Sequence, residues 1–253
     1  MNERHEEIIR CLREQGEVSV ENLVSRLAVS EATVRRDLAM LEKAGSLMRT
    51  FGGARLVEAS SLILKTFEQK RMAMRESKEK IARCVAELVE PGMSVALDSG
   101  TTTWSVAAAL KNKAPLDIVT NSLPVVEEIG GVEGVRIICP GGRFNLTNLD
   151  FIGAETARFV SHMHVDILLL GVDNFIPGRG VFTNSRDDAD VQAAFAGIAD
   201  KCVVVADSTK ICRKGLFMAV PSSRVDILVT DDGLDDETKT ILQTEPYKLI
   251  VAE

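Results

Sequence analysis

Seven short apolar runs, each closing on a small or polar residue, recur from residue 94 onward: SVALD (94–98), DIVTN (117–121), RIICPGG (136–142), DILLLGVD (166–173), CVVVAD (202–207), DILVTD (226–231) and KLIVA (248–252). Continuous runs of this length belong to strands covered on both faces, the habit of parallel sheets. The intervals hold helix-patterned stretches, among them Trp104–Leu110, Pro124–Ile129, Thr156–Ser161 and Ala189–Ile198, as crossover connections require. The spacing predicts a mainly parallel α/β fold for this part of the chain. No run approaches the roughly 20 apolar residues that span a bilayer, so no membrane partner is expected.

In such sheets ligands sit beyond the carboxyl ends of the strands, and the polar residues there are candidates as a group. Asp98-Ser99-Gly100-Thr101-Thr102-Thr103 passes from a strand directly into a helix. Gly100 lets the backbone approach a ligand, the free N–H groups of the helix start point outward, and the hydroxyls add donors. Together these can hold a phosphate without a lysine. The same residues serve about as well as a hydroxyl-rich helix cap, and they match neither the Walker nor the dinucleotide pattern. Asp98 would repel a phosphate and is read as an acceptor for a sugar hydroxyl or as a brace for the loop. Thr120, Asn121 and Ser122 offer hydroxyl and amide groups, Gly141 and Gly142 backbone N–H groups, Asp173 an acceptor, and Lys210 a cation for the same anion. Each alone is equally a strand-ending turn or cap; convergence on one sheet edge is what recommends them.

Residues 1–56 are organised differently. Ile8, Ile9 and Leu12 recur at helical spacing ahead of Gly16, Ser19 can cap a short helix Val20–Ala28, and Ser30 a third running roughly Glu31–Ala44 up to Gly45. On that third helix Val34, Leu38 and Leu41 cluster on the side that packs inward. Ala32, Arg36 and Lys43 lie opposite, with Thr33 and Arg35 on the flanks. Short side chains followed by cations suit a helix inserted in the major groove. The segment 46–56 alternates weakly about Gly52-Gly53, which suggests a two-stranded wing carrying Arg49 and Arg55 to the adjacent backbone. Ser30, Ala32, Thr33, Arg35, Arg36, Lys43, Arg49 and Arg55 are the expected DNA contacts. Charge agrees with this division: residues 32–56 hold five Lys/Arg against two Asp/Glu, whereas residues 57–253 hold 21 against 28.

The segment VSEATVRRDLAMLEKAGSLMRTFGGA (29–54) resembles the signature of the DeoR family of bacterial transcriptional regulators. The order D-S-G-T-T, T-N-S, P-G-G, G-V-D, D-S-T-K, spread from 98 to 210, is similar to the effector domain of the same family. The resemblance implies a winged helix-turn-helix and a larger α/β domain related to ribose-phosphate isomerases and glucosamine-phosphate deaminases, which senses phosphorylated sugars or similar metabolites. It implies a pocket lined by Asp98, Gly100, Thr101, Thr102, Thr120, Asn121, Gly141, Gly142, Asp173 and Lys210. Many members carry an E-A-E-V-K-R-A-M-like helix where this chain reads Asp188-Ala189-Asp190-Val191-Gln192-Ala193-Ala194-Phe195, with shorter acids and a cation lost. Asn174 also stands where glycine often follows the aspartate. Both departures bear on which sugar is bound.

The domains are expected at 1–56 and 78–253, joined by a linker at 57–77 that has no Gly or Pro and is rich in charge and Met. The expected function is a cytoplasmic, homo-oligomeric repressor, dimer or tetramer, of a carbohydrate-metabolism operon. It binds operator DNA and is relieved when a phosphorylated sugar fills the larger domain. The alternative is a sugar-phosphate isomerase or deaminase carrying a DNA-binding module. Asp173 could then be a base, but the isomerases resemble this region with a lysine before the Gly-rich turn where this chain has Pro177-Gly178-Arg179-Gly180. No catalytic residue and no cofactor are therefore expected. The five cysteines are widely spaced without a C-x-x-C, and His162 and His164 lack a third ligand nearby, so neither a disulfide framework nor a metal site is expected. The charged N-terminus has no apolar core of a secretory signal, in keeping with a protein that stays inside the cell.

Overall fold

The computed structural model describes residues 3–43, 47–50, 52–56 and 67–253. The chain divides into two compact units, Met1–Thr66 and Phe67–Glu253.

The first unit runs α1 (Glu3–Gln15), β1 (Glu17–Ser19), α2 (Val20–Leu27), α3 (Glu31–Lys43), β2 (Leu47–Thr50) and β3 (Gly53–Leu56). Ser19 caps α2, its Oγ accepting the Asn22 N–H at 3.1 Å, and Ser30 Oγ accepts the Thr33 N–H at 3.3 Å where α3 begins. Ile8 and Leu12 of α1, Leu23 of α2, and Val34, Leu38 and Leu41 of α3 close on Leu47 and Ala54 of the hairpin to form one core. The wing differs from expectation in one respect. β1 pairs antiparallel with β3, so the sheet has three strands in the order β1-β3-β2. Glu17-Val18-Ser19 is too short to display alternation, and only its partner strand defines it.

The helices of the second unit are α4 (67–72), α5 (Arg75–Ala86), α6 (Thr101–Ala109), α7 (Leu123–Ile129), α8 (Ala154–Val160), α9 (Arg186–Ile198) and α10 (Asp236–Gln243). Its strands are β4 (Ser94–Leu97), β5 (Leu116–Thr120), β6 (Val135–Ile138), β7 (Arg143–Asn145), β8 (Asp150–Ile152), β9 (Val165–Gly171), β10 (Asn174–Ile176), β11 (Gly180–Thr183), β12 (Ala199–Val205), β13 (Phe217–Pro221), β14 (Ile227–Asp231) and β15 (Lys248–Ala252). The seven apolar runs of the sequence become one seven-stranded sheet, ordered β15-β14-β12-β9-β4-β5-β6, in which every neighbouring pair is parallel.

Both sheet faces are buried, with the period of two that strands impose. Val95, Leu97, Ile167, Leu169, Val203 and Val205 pack against α5, α6 and α7. Ala96, Leu168, Leu170 and Val204 face Val160 of α8, Phe195 of α9 and the antiparallel sheet β10-β11-β13. A second antiparallel pair, β7-β8, stands apart from the main sheet. Chain order reverses between β4 and β9, which lie side by side at its middle.

The span read as a linker divides in two. Residues 57–66 lie outside the described residues, whereas 67–72 are helical and α5 begins at Arg75, three residues ahead of the helix expected at 78–89. Dense charge around Phe67, Met72 and Met74 hides that helical segment in the sequence. Among the described residues no helix is long and apolar enough to cross a membrane.

Candidate functional site

A cleft of about 190 Å³ opens at the carboxyl ends of β4 and β9, where the strand order reverses. Eight of the residues expected to bind ligand meet there: Asp98, Ser99, Gly100, Thr101 and Thr102 after β4, Asn121 after β5, Asp173 after β9 and Lys210 after β12. Gly100 is the N-cap of α6 at φ 134° and ψ 167°, a conformation that excludes a Cβ, and no side chain caps that helix end. The first intrahelical bond there is Trp104 N–H to Gly100 O at 3.0 Å, so α6 leaves the amides ahead of it free for an anion.

The fold adds residues that sequence reasoning did not assign to the site. Lys70 of α4 and Lys78 of α5 line the cleft, as do Asn148 and Asp150 of the β7-β8 hairpin and Asp188 and Gln192 of α9. Lys78 is only 5% exposed; its Nζ donates to the carbonyls of Lys70 at 2.5 Å and Ala73 at 2.6 Å, bracing the corner between α4 and α5. Burial lowers its pKa. Lys70 Nζ donates to Asn148 Oδ1 at 3.0 Å. Only Asp188 and Gln192 left a trace in the sequence, as departures from the family pattern. Asp150 follows a polar, turn-like stretch, and pairing of β7 with β8 is what delivers it.

Three carboxyl groups of the cleft are displaced toward the neutral form. Burial lifts Asp98 to about 8; Gln192 and the Ser99 N–H pull it back, while Asp150 and Asp188 push it up. Burial lifts Asp150 to about 6 against the hydroxyl of Ser99, which donates to it. Asp188 is raised by burial first, with Asp173 adding to the shift and Ser185 opposing it. Asp173 itself is exposed at the rim.

Five expected residues are placed elsewhere. Thr103 is buried and donates to Gly100 O at 2.9 Å; Thr120 is buried and its Oγ1 accepts the Ser122 N–H at 3.1 Å, with Ser122 buried beside it. Gly141 accepts Thr156 Oγ1 at 3.0 Å through its carbonyl, and Gly142 packs against the same threonine. These residues shape the loops behind the cleft and do not line it.

In the first unit, Ser30, Ala32, Arg35, Arg36 and Arg49 are exposed and Thr33 is half-buried. Ser30, Ala32, Thr33, Arg35 and Arg36 share the start of α3, and Arg49 lies on β2. Arg35 pairs with Glu31 one turn back, Nε to Oε1 at 2.8 Å, whereas Arg36 has no ion pair among the described residues. The side chains of Lys43 and Arg55 lie outside the described residues. On the inner side of α3, Asp37 receives Arg4 Nη2 at 2.9 Å and His5 Nε2 at 3.2 Å, a tie between α1 and α3 that periodicity alone did not reveal.

The sequence matches the DeoR-like helix-turn-helix domain over residues 4–60 and the DeoR C terminal sensor domain over residues 73–232. The glycerol-3-phosphate regulon repressor of Escherichia coli (strain K12) is 33% identical over 90% of this chain and 90% of its own length. The lactose phosphotransferase system repressor of Streptococcus mutans serotype c is 34% identical over 94% of this chain and 95% of its own. Among solved structures, ribose 5-phosphate isomerase A of Methanocaldococcus jannaschii is similar over 56% of each chain, with 17% identity and a TM-score of 0.42. With one family domain recognised in each of its two units, the chain belongs to the DeoR family of transcriptional regulators.

Proposed function

We propose that this protein is a cytoplasmic repressor of a carbohydrate-metabolism operon, released from its operator when a phosphorylated sugar occupies the cleft of the second unit. The position of the cleft carries this reading. It lies at the topological switch point of a parallel sheet, and there the uncapped start of α6, the hydroxyls of Thr101 and Thr102, and Lys210 offer donors to one anion, while the Ser99 hydroxyl is committed to Asp150. Similarity to repressors of a glycerol-3-phosphate regulon and a lactose phosphotransferase system supports the same class of effector. The start of α3 enters the major groove with Arg36 on the bases, and Arg35 and Arg49 hold phosphates. A homo-oligomer sets two such helices about 34 Å apart, one turn of duplex. We read the cleft as a sensor site and not as a catalytic one, because the isomerases resemble this region with a lysine before the Gly-rich turn, where this chain has Pro177-Gly178-Arg179-Gly180.

In vitro selection from a random duplex library, followed by release with a panel of phosphorylated sugars, tests both halves. The chain should enrich a discrete duplex and lose it in the presence of one phosphorylated sugar. That ligand at 100 times its Kd should stabilise the protein by about 2.7 kcal/mol. Thr101→Val should bind the duplex normally and fail to release. Enrichment of no sequence would remove the repressor reading, and release of Thr101→Val at wild-type effector concentration would remove the anion site.

A further inference from the structure

The inner wall of the cleft is made of acceptors. Asn121 commits its Nδ2 to Phe151 O at 3.0 Å, and Gln192 its Nε2 to Asp98 Oδ2 at 2.9 Å and Gly171 O at 3.3 Å, so each turns its amide oxygen elsewhere. Asn121 Oδ1, Gln192 Oε1, Asp150 Oδ1 and Asp188 Oδ1 are all buried without a hydrogen-bond partner among the described residues. Asn121 and Asp150 are each 1% exposed. Buried acceptors left unpaired are rare and costly, so these four oxygens call for a ligand rich in hydrogen-bond donors.

Charge narrows the choice of donor. Five carboxyl groups line the cleft; Asp98, lifted to about 8, is neutral near pH 7, which leaves Asp150, Asp173, Asp188 and Asp207 against three lysines. Two of those lysines are turned to neutral partners, Lys78 to backbone carbonyls and Lys70 to Asn148. Asp150 and Asp188 form no close ion pair with any described residue, although the charges of Arg143 and Lys70 reach Asp188 at longer range. A phosphoryl group alone would add repulsion to this wall, and neutral hydroxyls would satisfy the oxygens without balancing the charge. No group of three or more His, Cys, Asp or Glu among the described residues could hold a metal ion. An organic ammonium supplies both missing quantities, a positive charge and three N–H donors.

We propose that the effector carries a protonated primary amine as well as a phosphoryl group, the amine received by Asp150, Asp188 and the amide oxygen of Asn121. The ligand class is an amino-sugar phosphate, and the inference rests on the reading of the cleft as a phosphorylated-sugar site. Such a ligand is dipolar in the sense that the cleft is: donors at the start of α6 and carboxylates on the hairpin and α9.

Titration calorimetry of the full chain near pH 7 tests this with glucosamine 6-phosphate and galactosamine 6-phosphate. Each is compared with its 2-hydroxy counterpart, glucose 6-phosphate or galactose 6-phosphate, and with its N-acetyl form, which keeps the phosphoryl group and removes the charge. At least one amino sugar phosphate should bind tenfold or more tightly than both of its counterparts, and Asp188→Asn should reduce that preference to threefold or less while retaining the hydroxy sugar phosphate. A hydroxy or N-acetyl form binding as tightly as the amine, or better, overturns the amine and leaves the phosphorylated-sugar site standing. Failure of all six probes and of the wider panel of phosphorylated sugars overturns the site itself, and the amine with it.

Discussion

Gln192 donates its side-chain amide to Asp98, Nε2 to Oδ2 at 2.9 Å, in a buried pair joining the end of β4 to the middle of α9. A neutral donor at this place leaves the carboxyl to its burial, which lifts it to about 8. The folded chain then binds the proton more tightly than the unfolded chain does. The stabilisation is therefore complete below the ordinary carboxylate range and is lost as pH rises through about 8. Thermal unfolding of the larger unit should show a melting temperature that declines from pH 5 to pH 9, with a shallower slope in Asp98→Asn. Gln192→Lys restores the cation common in the family, ionises Asp98 and should flatten the slope as well. Equal slopes in all three proteins would mean that Asp98 is ionised throughout.

The opposite sign holds for Asp37 in the smaller unit. Hydrogen bonding from Arg4, then from His5, holds its carboxyl below the usual range against the cost of burial. Its contribution is present above that range and disappears as pH falls through the depressed value. Asp37→Asn should lower the melting temperature of the smaller unit by at least about 4 °C, the effect of roughly 1 kcal/mol on a domain of this size. The loss should be largest at neutral pH and shrink toward pH 3. Effector affinity should stay at the wild-type level, since Asp37 belongs to the other unit. An unchanged melting profile at pH 7 would assign the helix contact to apolar packing alone.

Burial on both faces decides which elements the sequence displays. Five strands of the main sheet, β4, β5, β9, β12 and β14, are legible because their central residues are apolar and buried on both faces, as Leu168, Leu169 and Leu170 are in β9; the edge strands β6 and β15 keep an apolar run although Arg136, Ile138 and Lys248 are exposed. The loops at their ends were legible as chemistry because hydroxyls, glycine and aspartate follow the apolar run directly. Short antiparallel elements were not legible. Arg143-Phe144-Asn145 is largely exposed, and nothing but its pairing with Asp150-Phe151-Ile152 makes it a strand. Asp150 and Asn148 enter the site through this hairpin and Lys78 through the corner between α4 and α5, and no local pattern announces them. Thr120 and Thr103 turn to the backbone behind the cleft for a related reason: strand-end polarity does not say which way a hydroxyl faces.

Gly141 and Gly142 make that distinction measurable. A Cβ on Gly142 would stand 2.1 Å from Thr156 Oγ1, and the residue holds φ 153°, whereas one on Gly141 would meet nothing within 4 Å. Gly142→Ala should therefore destabilise the larger unit by about 1–3 kcal/mol through overpacking and backbone strain. Gly141→Ala should fall within about 0.5 kcal/mol of wild type. Neither lines the cleft, so effector affinity of the folded fraction should not change in either variant. A Gly141→Ala protein of normal stability but weakened effector binding would return this turn to the binding site.

Arg35 and Arg36 are neighbours on α3 with different commitments, and they should separate in a binding assay. Arg35 is held by Glu31, but an exposed pair one turn apart is worth only about 0.3–0.5 kcal/mol, so a phosphate can recruit it at little cost. Arg36 has no ion pair among the described residues and projects from the exposed side of the helix opposite Val34, Leu38 and Leu41. Arg36→Ala should weaken binding to a selected duplex by about 1–3 kcal/mol and relax preference at one base pair, the mark of a bidentate base contact. Arg35→Ala should weaken all duplexes alike and reduce the slope of log affinity against log salt by about one. Anisotropy titrations across a salt series, on the selected duplex and on single-base variants, read both quantities. A uniform loss in Arg36→Ala would move that side chain to the phosphates, and an unchanged affinity would take it out of the interface.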